Sequence, residues 1–283
     1  MNIVLNDKLI FYNWMPCIAD WSMDCSDEFY RSNSVSRICN PPDLTENTIN
    51  QVKENDIIFV KTDYLKSGYF QVEVLPRINV PFKLVSGISS YTVDNYQPII
   101  DNELCTKWFC TNPPIDHKKI VGIPIGFEEK ERAGGDQKLL KKYLNQENTE
   151  KKNRIILPYH TQSTNPVRSA AIKFLSSLPY VDVQQEKLDF DDYMKLLSEY
   201  KYCICLEGAG YDTHRNYECL LTGTVPIMKK SNMRLIYMDW NLPCMFVEEW
   251  ESVADIGLDS AFDFSNVDKF MQVQSHIERI KNG

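Results

Sequence analysis

Residues 201–230, KYCICLEGAGYDTHRNYECLLTGTVPIMKK, read as strand, turn, helix, stop and strand. Tyr202–Leu206 is a short apolar run suited to a buried parallel strand. Glu207-Gly208-Ala209-Gly210 breaks that run, and its two glycines let backbone approach a ligand closely. Asp212 or Thr213 is placed to cap the helix that follows. Gly223 falls where a helix stops in a left-handed turn, and residues 224–228 form the next strand. This βαβ unit implies an α/β fold with a parallel sheet.

The polar residues of the unit are spaced for chemistry. Arg215 and Glu218 are three apart and share one helix face. Both lie near the helix N-terminus, where N–H groups and the helix dipole favour an anion. The planar fork of an arginine there suits a diphosphate. A carboxylate one turn on suits ribose hydroxyls. Spacing alone leaves a second reading open, a helix with an i,i+3 ion pair after two turn glycines.

The ordered run CLEGAGYDTHRNYECLLTGTVPIM resembles the signature of exostosin-like glycosyltransferases. There an (P/L)EG turn follows a strand, a D-x-H-R or S-x-R-x-x-E helix comes next, and a G-(T/C)-(I/V)-P-(I/V) strand closes the unit. A second stretch is similar to the N-terminal half of small members of that family: Trp108-Phe109-Cys110-Thr111-Asn112, then His117-Lys118-Lys119-Ile120, then Ile123-Pro124-Ile125-Gly126. The resemblance implies a GT-B fold, two Rossmann-like domains with mostly parallel sheets facing a central cleft. It implies sugar transfer from a nucleotide-sugar, a UDP-sugar such as UDP-xylose or UDP-N-acetylglucosamine, to a glycan hydroxyl. An inverting, metal-independent reaction is expected, with no cofactor required.

Bulk properties narrow the field. The 283 residues suffice for two modest domains, and a net charge of -8 argues against non-specific nucleic-acid binding. No apolar run approaches a membrane span, and the N-terminal stretch is broken by Asn2, Asn6, Asp7 and Lys8, so a cytoplasmic protein without a transmembrane segment is expected. The 9 cysteines include no CxxC pair, and they read as small buried apolar residues rather than metal ligands.

Along the chain, residues 1–127 alternate strands and connections and read as an acceptor-side domain. Strands are expected at 9–13, 56–62, 82–86, 106–110 and 120–125, with crossover helices at 45–52 and 68–75. Asp63, residues 86–90 and Asn112 then lie at strand carboxyl ends, where α/β ligand crevices form. Asp63 is the first choice for the base that takes the acceptor proton, before Asp20 and Asp94. His117 with its two lysines reads as a solvated turn. Residues 128–152, dense in charge with Gly134-Gly135 and a short helix at 138–144, read as a linker.

Residues 153–283 read as the nucleotide-sugar domain. A strand over 154–159 leads to a polar loop with His160 and Ser163, then to a helix over 167–178 that places Arg168 near its N-terminus. Small exostosin-like enzymes show an arginine in a similar N-x-x-R context. The expected donor residues are Ser163, Arg168, Gly208, Gly210, Asp212, His214, Arg215 and Glu218. Glu207 is placed to contact the donor sugar or leaving group. Asp189-x-Asp191 spells a D-x-D pair, which in an alternative, metal-dependent transferase would hold a divalent ion; immediately before a helix, such aspartates are expected as caps. A second alternative is a non-catalytic nucleotide- or glycan-binding module. Residues 245–248 read as an edge strand, and 267–280 as one last helix packing back on the first domain.

Overall fold

The computed structural model describes residues 8–23, 41–129, 132–144, 150–160 and 167–283. The fold is α/β, with two parallel sheets of five strands each. Two compact units divide the chain: Met1–Ile125 with Val273–Gly283, and Gly126–Gln272.

The first unit carries β1 (Trp21–Met23), β2 (Ile57–Lys61), β3 (Phe82–Gly87), β4 (Cys105–Cys110) and β5 (Ile120–Gly122). They pair in sequence order, all parallel. Right-handed crossovers between sequential parallel strands put every connection on one face of the sheet. That face buries Ile58, Val60, Leu84 and Trp108 against Leu65, Phe70, Leu75 and Ile99. Alternation turns Phe59, Val85 and Phe109 to the other face, and all three are buried. Their burial is worth about 1.5–3 kcal/mol each, so this face needs its own cover. The 3-10 turn Met15–Ile18 and the last helix, Val273–Asn282, supply it. Val273 N–H donates to Lys8 O at 2.9 Å, Trp14 and His276 sit 5.5 Å apart, and Lys83 Nζ on β3 donates to the carbonyls of Ile280 and Lys281 at 3.0 and 2.7 Å.

Several local expectations are corrected. Residues 9–13 form isolated bridges rather than the first strand, because Leu9, Ile10 and Trp14 are used as buried cover; β1 lies further on. The helices expected at 45–52 and 68–75 shrink to a 3-10 turn at Ile49–Gln51 and a π turn at Phe70–Val74 followed by a 3-10 turn, Leu75–Arg77, where Pro76 has no N–H to extend a helix. The single helix expected over 267–280 is two, Val267–Met271 and Val273–Asn282, separated by extended Gln272. They belong to different units.

The second unit carries β6 (Lys152–Leu157), β7 (Val181–Val183), β8 (Tyr200–Ile204), β9 (Val225–Lys229) and β10 (Met245–Val247). The order is β10-β9-β8-β6-β7, all parallel, with β10 at one edge. Tyr202, Ile204, Val225 and Ile227 pack with Ala171, Leu175, Trp250 and Val253. Gly223 takes φ 68, the left-handed stop that lets the chain turn from helix to β9. Lys151 Nζ donates to Ser198 O at 2.6 Å and Thr222 O at 2.8 Å, tying together the C-terminal ends of two helices, Phe190–Ser198 and His214–Leu221. A cation suits that place.

Residues 128–152 do not behave as a linker. The helix Gln137–Leu144 buries Leu140 and Tyr143 within the second unit. Gly134 and Gly135 are packing positions. A Cβ on Gly134 would lie 2.7 Å from Glu128 Oε2, and one on Gly135 only 2.1 Å from the Glu129 carbonyl oxygen. Charge density hid the amphipathic Leu140/Tyr143 pair at helical spacing.

Candidate functional site

The second sheet has a topological switch point. From β6 the chain passes to β7 on one side, then crosses back to β8 on the other. In such sheets the crevice opens at the carboxyl ends of the two diverging strands. A cavity of about 730 Å³ lies there. Tyr159 and His160 follow β6, Gln184 and Lys187–Phe190 follow β7, and Leu206 follows β8. Thr213, His214, Arg215 and Glu218 border it from the start of the next helix, with Arg168 and Tyr193. The remaining wall is Glu128, Arg132, Ala133 and Gly134.

Arg215 is the centre of the hydrogen-bond network. Its Nε donates to Tyr193 Oη at 3.1 Å, Nη2 to Tyr159 O at 3.1 Å, and Nη1 faces His160 Nε2. His160 Nδ1 lies 2.6 Å from Pro158 O. Nδ1 therefore carries the proton and Nε2 accepts from the guanidinium. Burial, with Arg215 next, pushes the His160 pKa down to about 2, so the ring stays neutral. Tyr193 Oη in turn donates to Glu218 Oε2 at 2.8 Å. Burial raises the Glu218 carboxyl above its ordinary value, while Arg215 and the Tyr193 hydroxyl oppose that rise. Burial likewise works against the Arg215 charge, but Tyr193, Cys203 and Glu218 more than offset it.

Arg168 is the second guanidinium of the cavity. Its Nε donates to Glu207 O at 2.9 Å. Burial and then the neighbouring Arg215 charge lower its pKa. Two mutually repelling guanidiniums at one switch-point crevice give it a local positive charge of the kind that attracts an anion. A guanidinium has five N–H groups, and among the described residues three of those on Arg215 are engaged.

The other expected residues divide. His214 borders the cavity, with Nδ1 2.7 Å from Gly126 O. Asp212 is turned inward, its carboxylate accepting from Tyr217 Oη at 2.5 Å and Asn216 Nδ2 at 3.2 Å; it orders the helix start and does not line the cavity. Thr213 is the N-cap by backbone, but its hydroxyl goes to Asn216 Oδ1 at 3.0 Å. Gly208 N–H donates to Gly210 O at 2.9 Å, closing the turn. A Cβ on Gly208 would meet Arg168 Nη2 at an ordinary 3.6 Å, so the protein chain itself tolerates a side chain there. The Glu207 carboxylate accepts from Trp250 Nε1 at 3.2 Å rather than lining the cavity. Ser163 lies outside the described residues.

The D-x-D pair has other duties. Asp189 is an N-cap accepting from Asp192 N–H at 2.9 Å. Asp191 accepts from Tyr143 Oη at 2.5 Å and Lys142 Nζ at 2.9 Å, with Lys195 Nζ at 3.0 Å. The Tyr143 hydroxyl and the two lysines hold its carboxyl well below the usual range. Both carboxylates are accounted for without a metal ion.

In the first unit, Asp63 opens the short helix Thr62–Lys66; its Oδ2 lies 3.7 Å from Lys61 Nζ and has no hydrogen-bond donor among the described residues. Asp20 is structural, accepting from Ile57 N–H at 2.9 Å, and Asp94 is exposed. Backbone strain gathers near Asp63's end of the sheet. Ile88, just past β3, has φ 56, and Asn112, just past β4, has φ 47. A left-handed β-branched residue is costly and marks a backbone held by its surroundings. Thr62 Oγ1 donates to Gly87 O at 3.2 Å, and a Cβ on Gly87 would lie 2.3 Å from Met15 Sδ.

Sequence reasoning placed His160 only in a polar loop and did not single out Tyr193 or the wall of Glu128, Arg132, Ala133 and Gly134. His160 was findable as a polar residue just past a strand, by the same rule that selected Asp63. It also missed one cluster. Cys203, Cys205 and Cys219 come together although 203 and 219 are far apart in sequence.

No protein-family profile matches the chain, and no curated protein matches it. Solved structures do. The apo structure of OtsA is similar over 84% of this chain and 73% of its own, at 12% identity and a TM-score of 0.43. A structure described as trehalose-6-phosphate from E. coli bound with UDP-2-fluoro glucose is similar over 84% of this chain and 74% of its own, at 10% identity and TM-score 0.42. The GtfA/B complex gives 10% identity and TM-score 0.40, over 83% of this chain and 59% of that one. These are distant likenesses, and the chemistry of the site is read from its own residues. No helix among the described residues is long and apolar enough to cross a membrane.

Proposed function

We propose that the chain is a glycosyltransferase whose second unit binds a nucleotide-sugar, a UDP-sugar by the exostosin-like resemblance, and whose acceptor is a glycan hydroxyl. The observation that carries the reading is the Arg215 guanidinium. It is locked by Tyr159, His160 and Tyr193 at the switch-point cavity with two N–H groups remaining. Arg168 beside it supplies the second charge for a diphosphate. Two fixed cations stabilise the charge that grows on the departing diphosphate without reorganising. His214 and the helix start add a favourable dipole, and Glu218 takes the ribose hydroxyls. Glu207 is assigned to holding Arg168 through its carbonyl.

Asp63 is proposed as the base of an inverting transfer, at the strained carboxyl end of the first sheet. The reading is metal-independent, since guanidiniums replace the ion. Calorimetry with UDP, GDP, CDP and UDP-sugars, with and without EDTA, tests it on the wild type and Arg215→Lys. One nucleotide is expected to bind, unaffected by EDTA, and at least about 100-fold more weakly in the variant because an ammonium lacks the fork. Absence of binding, or binding indifferent to Arg215, overturns the site. Nucleotide binding without release of nucleoside diphosphate, over a broad glycan panel, leaves a binding module instead.

A further inference from the structure

Close to Arg215, three thiols converge. Cys203 lies on β8, Cys205 directly follows that strand, and Cys219 is one helical turn after Arg215. Cys205 Sγ and Cys219 Sγ are 3.6 Å apart, and the Sγ atoms of all three lie within 4.8 Å of one another. All three residues are buried. Metal–sulfur bonds of about 2.3 Å set the sulfurs of a trigonal site about 4 Å apart, compatible with the 3.6 Å contact and the 4.8 Å limit on the other two separations.

We propose that Cys203, Cys205 and Cys219 form a three-sulfur site for a soft monovalent cation, copper(I). The donor set selects the ion. Thiolate sulfur prefers soft metals. Among the described residues no further His, Cys, Asp or Glu joins the group, and its burial shields it from water. Zinc, which takes a fourth ligand in structural sites, is disfavoured, whereas copper(I) is content with three sulfurs. Each thiol that becomes a ligand releases its proton to solvent, and no electron moves. The ion would clamp β8 to the helix that presents Arg215 and Glu218. The site does not depend on the sugar-transfer reading.

The test is an anaerobic titration of the reduced protein with copper(I) against bathocuproine disulfonate. The wild type is expected to retain one equivalent, with a new near-ultraviolet thiolate-to-copper absorption and a raised melting temperature. Cys219→Ser and Cys205→Ser are expected to bind at least about 100-fold more weakly. If the wild type yields all its copper to the chelator, or the variants retain as much as the wild type, the proposal fails. Should the variants not fold, X-ray absorption of the copper-loaded wild type decides: three sulfur neighbours support the site, and two sulfurs or nitrogen neighbours overturn it.

Discussion

His160 Nε2 accepts from Arg215 Nη1 while its Nδ1–H is held by Pro158 O at 2.6 Å. One ring thus fixes both its own tautomer and the orientation of the guanidinium that faces the cavity. The folded His160 pKa is about 2, against 6.5 unfolded. The unfolded chain therefore binds a proton below pH 6.5 that the folded chain refuses. The sign follows: this contribution is full above pH 6.5 and is lost as pH falls toward 2, by up to about 1.4 kcal/mol per unit. Urea titrations from pH 7.5 to 4.5 should show wild type losing more stability than His160→Gln. Parallel curves would remove the neutral imidazole from the account.

Tyr193 Oη bridges Arg215 Nε and Glu218 Oε2. Tyr193→Phe keeps the ring, over which the guanidinium carbon sits at 5.7 Å, and deletes the bridge alone. A cost of about 1–3 kcal/mol in stability is expected, because Glu218 loses its donor in a buried place. UDP affinity should fall with it. Unchanged chemical denaturation would show that the bridge contributes nothing.

Two glycines make a contrast. Gly135→Ala drives a Cβ onto the Glu129 carbonyl and should cost about 3 kcal/mol or more, read as a lower denaturation midpoint. Gly208→Ala meets only ordinary contact and should leave stability within about 0.5 kcal/mol. Equal effects would contradict the packing described around residues 128–135.

Asp191→Asn separates the ion-paired role of Asp191 from a metal site. The substitution breaks the contacts to Lys142, Lys195 and Tyr143, so thermal stability should drop. Nucleotide affinity, and its indifference to EDTA, should not change. A divalent-ion requirement that vanishes in this variant would reverse the assignment.

The fold was legible where it is written locally. Residues 201–230 carry strand, glycine turn, helix and left-handed Gly223 in consecutive order, and each piece formed within a residue or two of its expected place. The edge strand at 245–247 was legible for the same reason. Partnerships across the sheet were not. Nothing near His160 in sequence announces that its ring will meet a guanidinium 55 residues away. The inward turn of Asp212 depends on Tyr217 and Asn216, which presented themselves only as helix residues. The helix Gln137–Leu144 reads in sequence as part of a linker for a different reason, since the exposed Lys138, Lys141 and Lys142 conceal its short buried stripe.

The cover of the first sheet comes from both ends of the described chain, with Trp14 and Met15 on one side and His276 and Ile280 on the other. This sets an order of events at the ribosome. Residues 126–272 are contiguous and can close their own sheet as soon as they emerge. Phe59, Val85 and Phe109 have all been synthesised by then, yet the helix that covers their face is still to come. The half of the molecule made first is therefore the half completed last, and in that interval its bare apolar surface is open to chaperones.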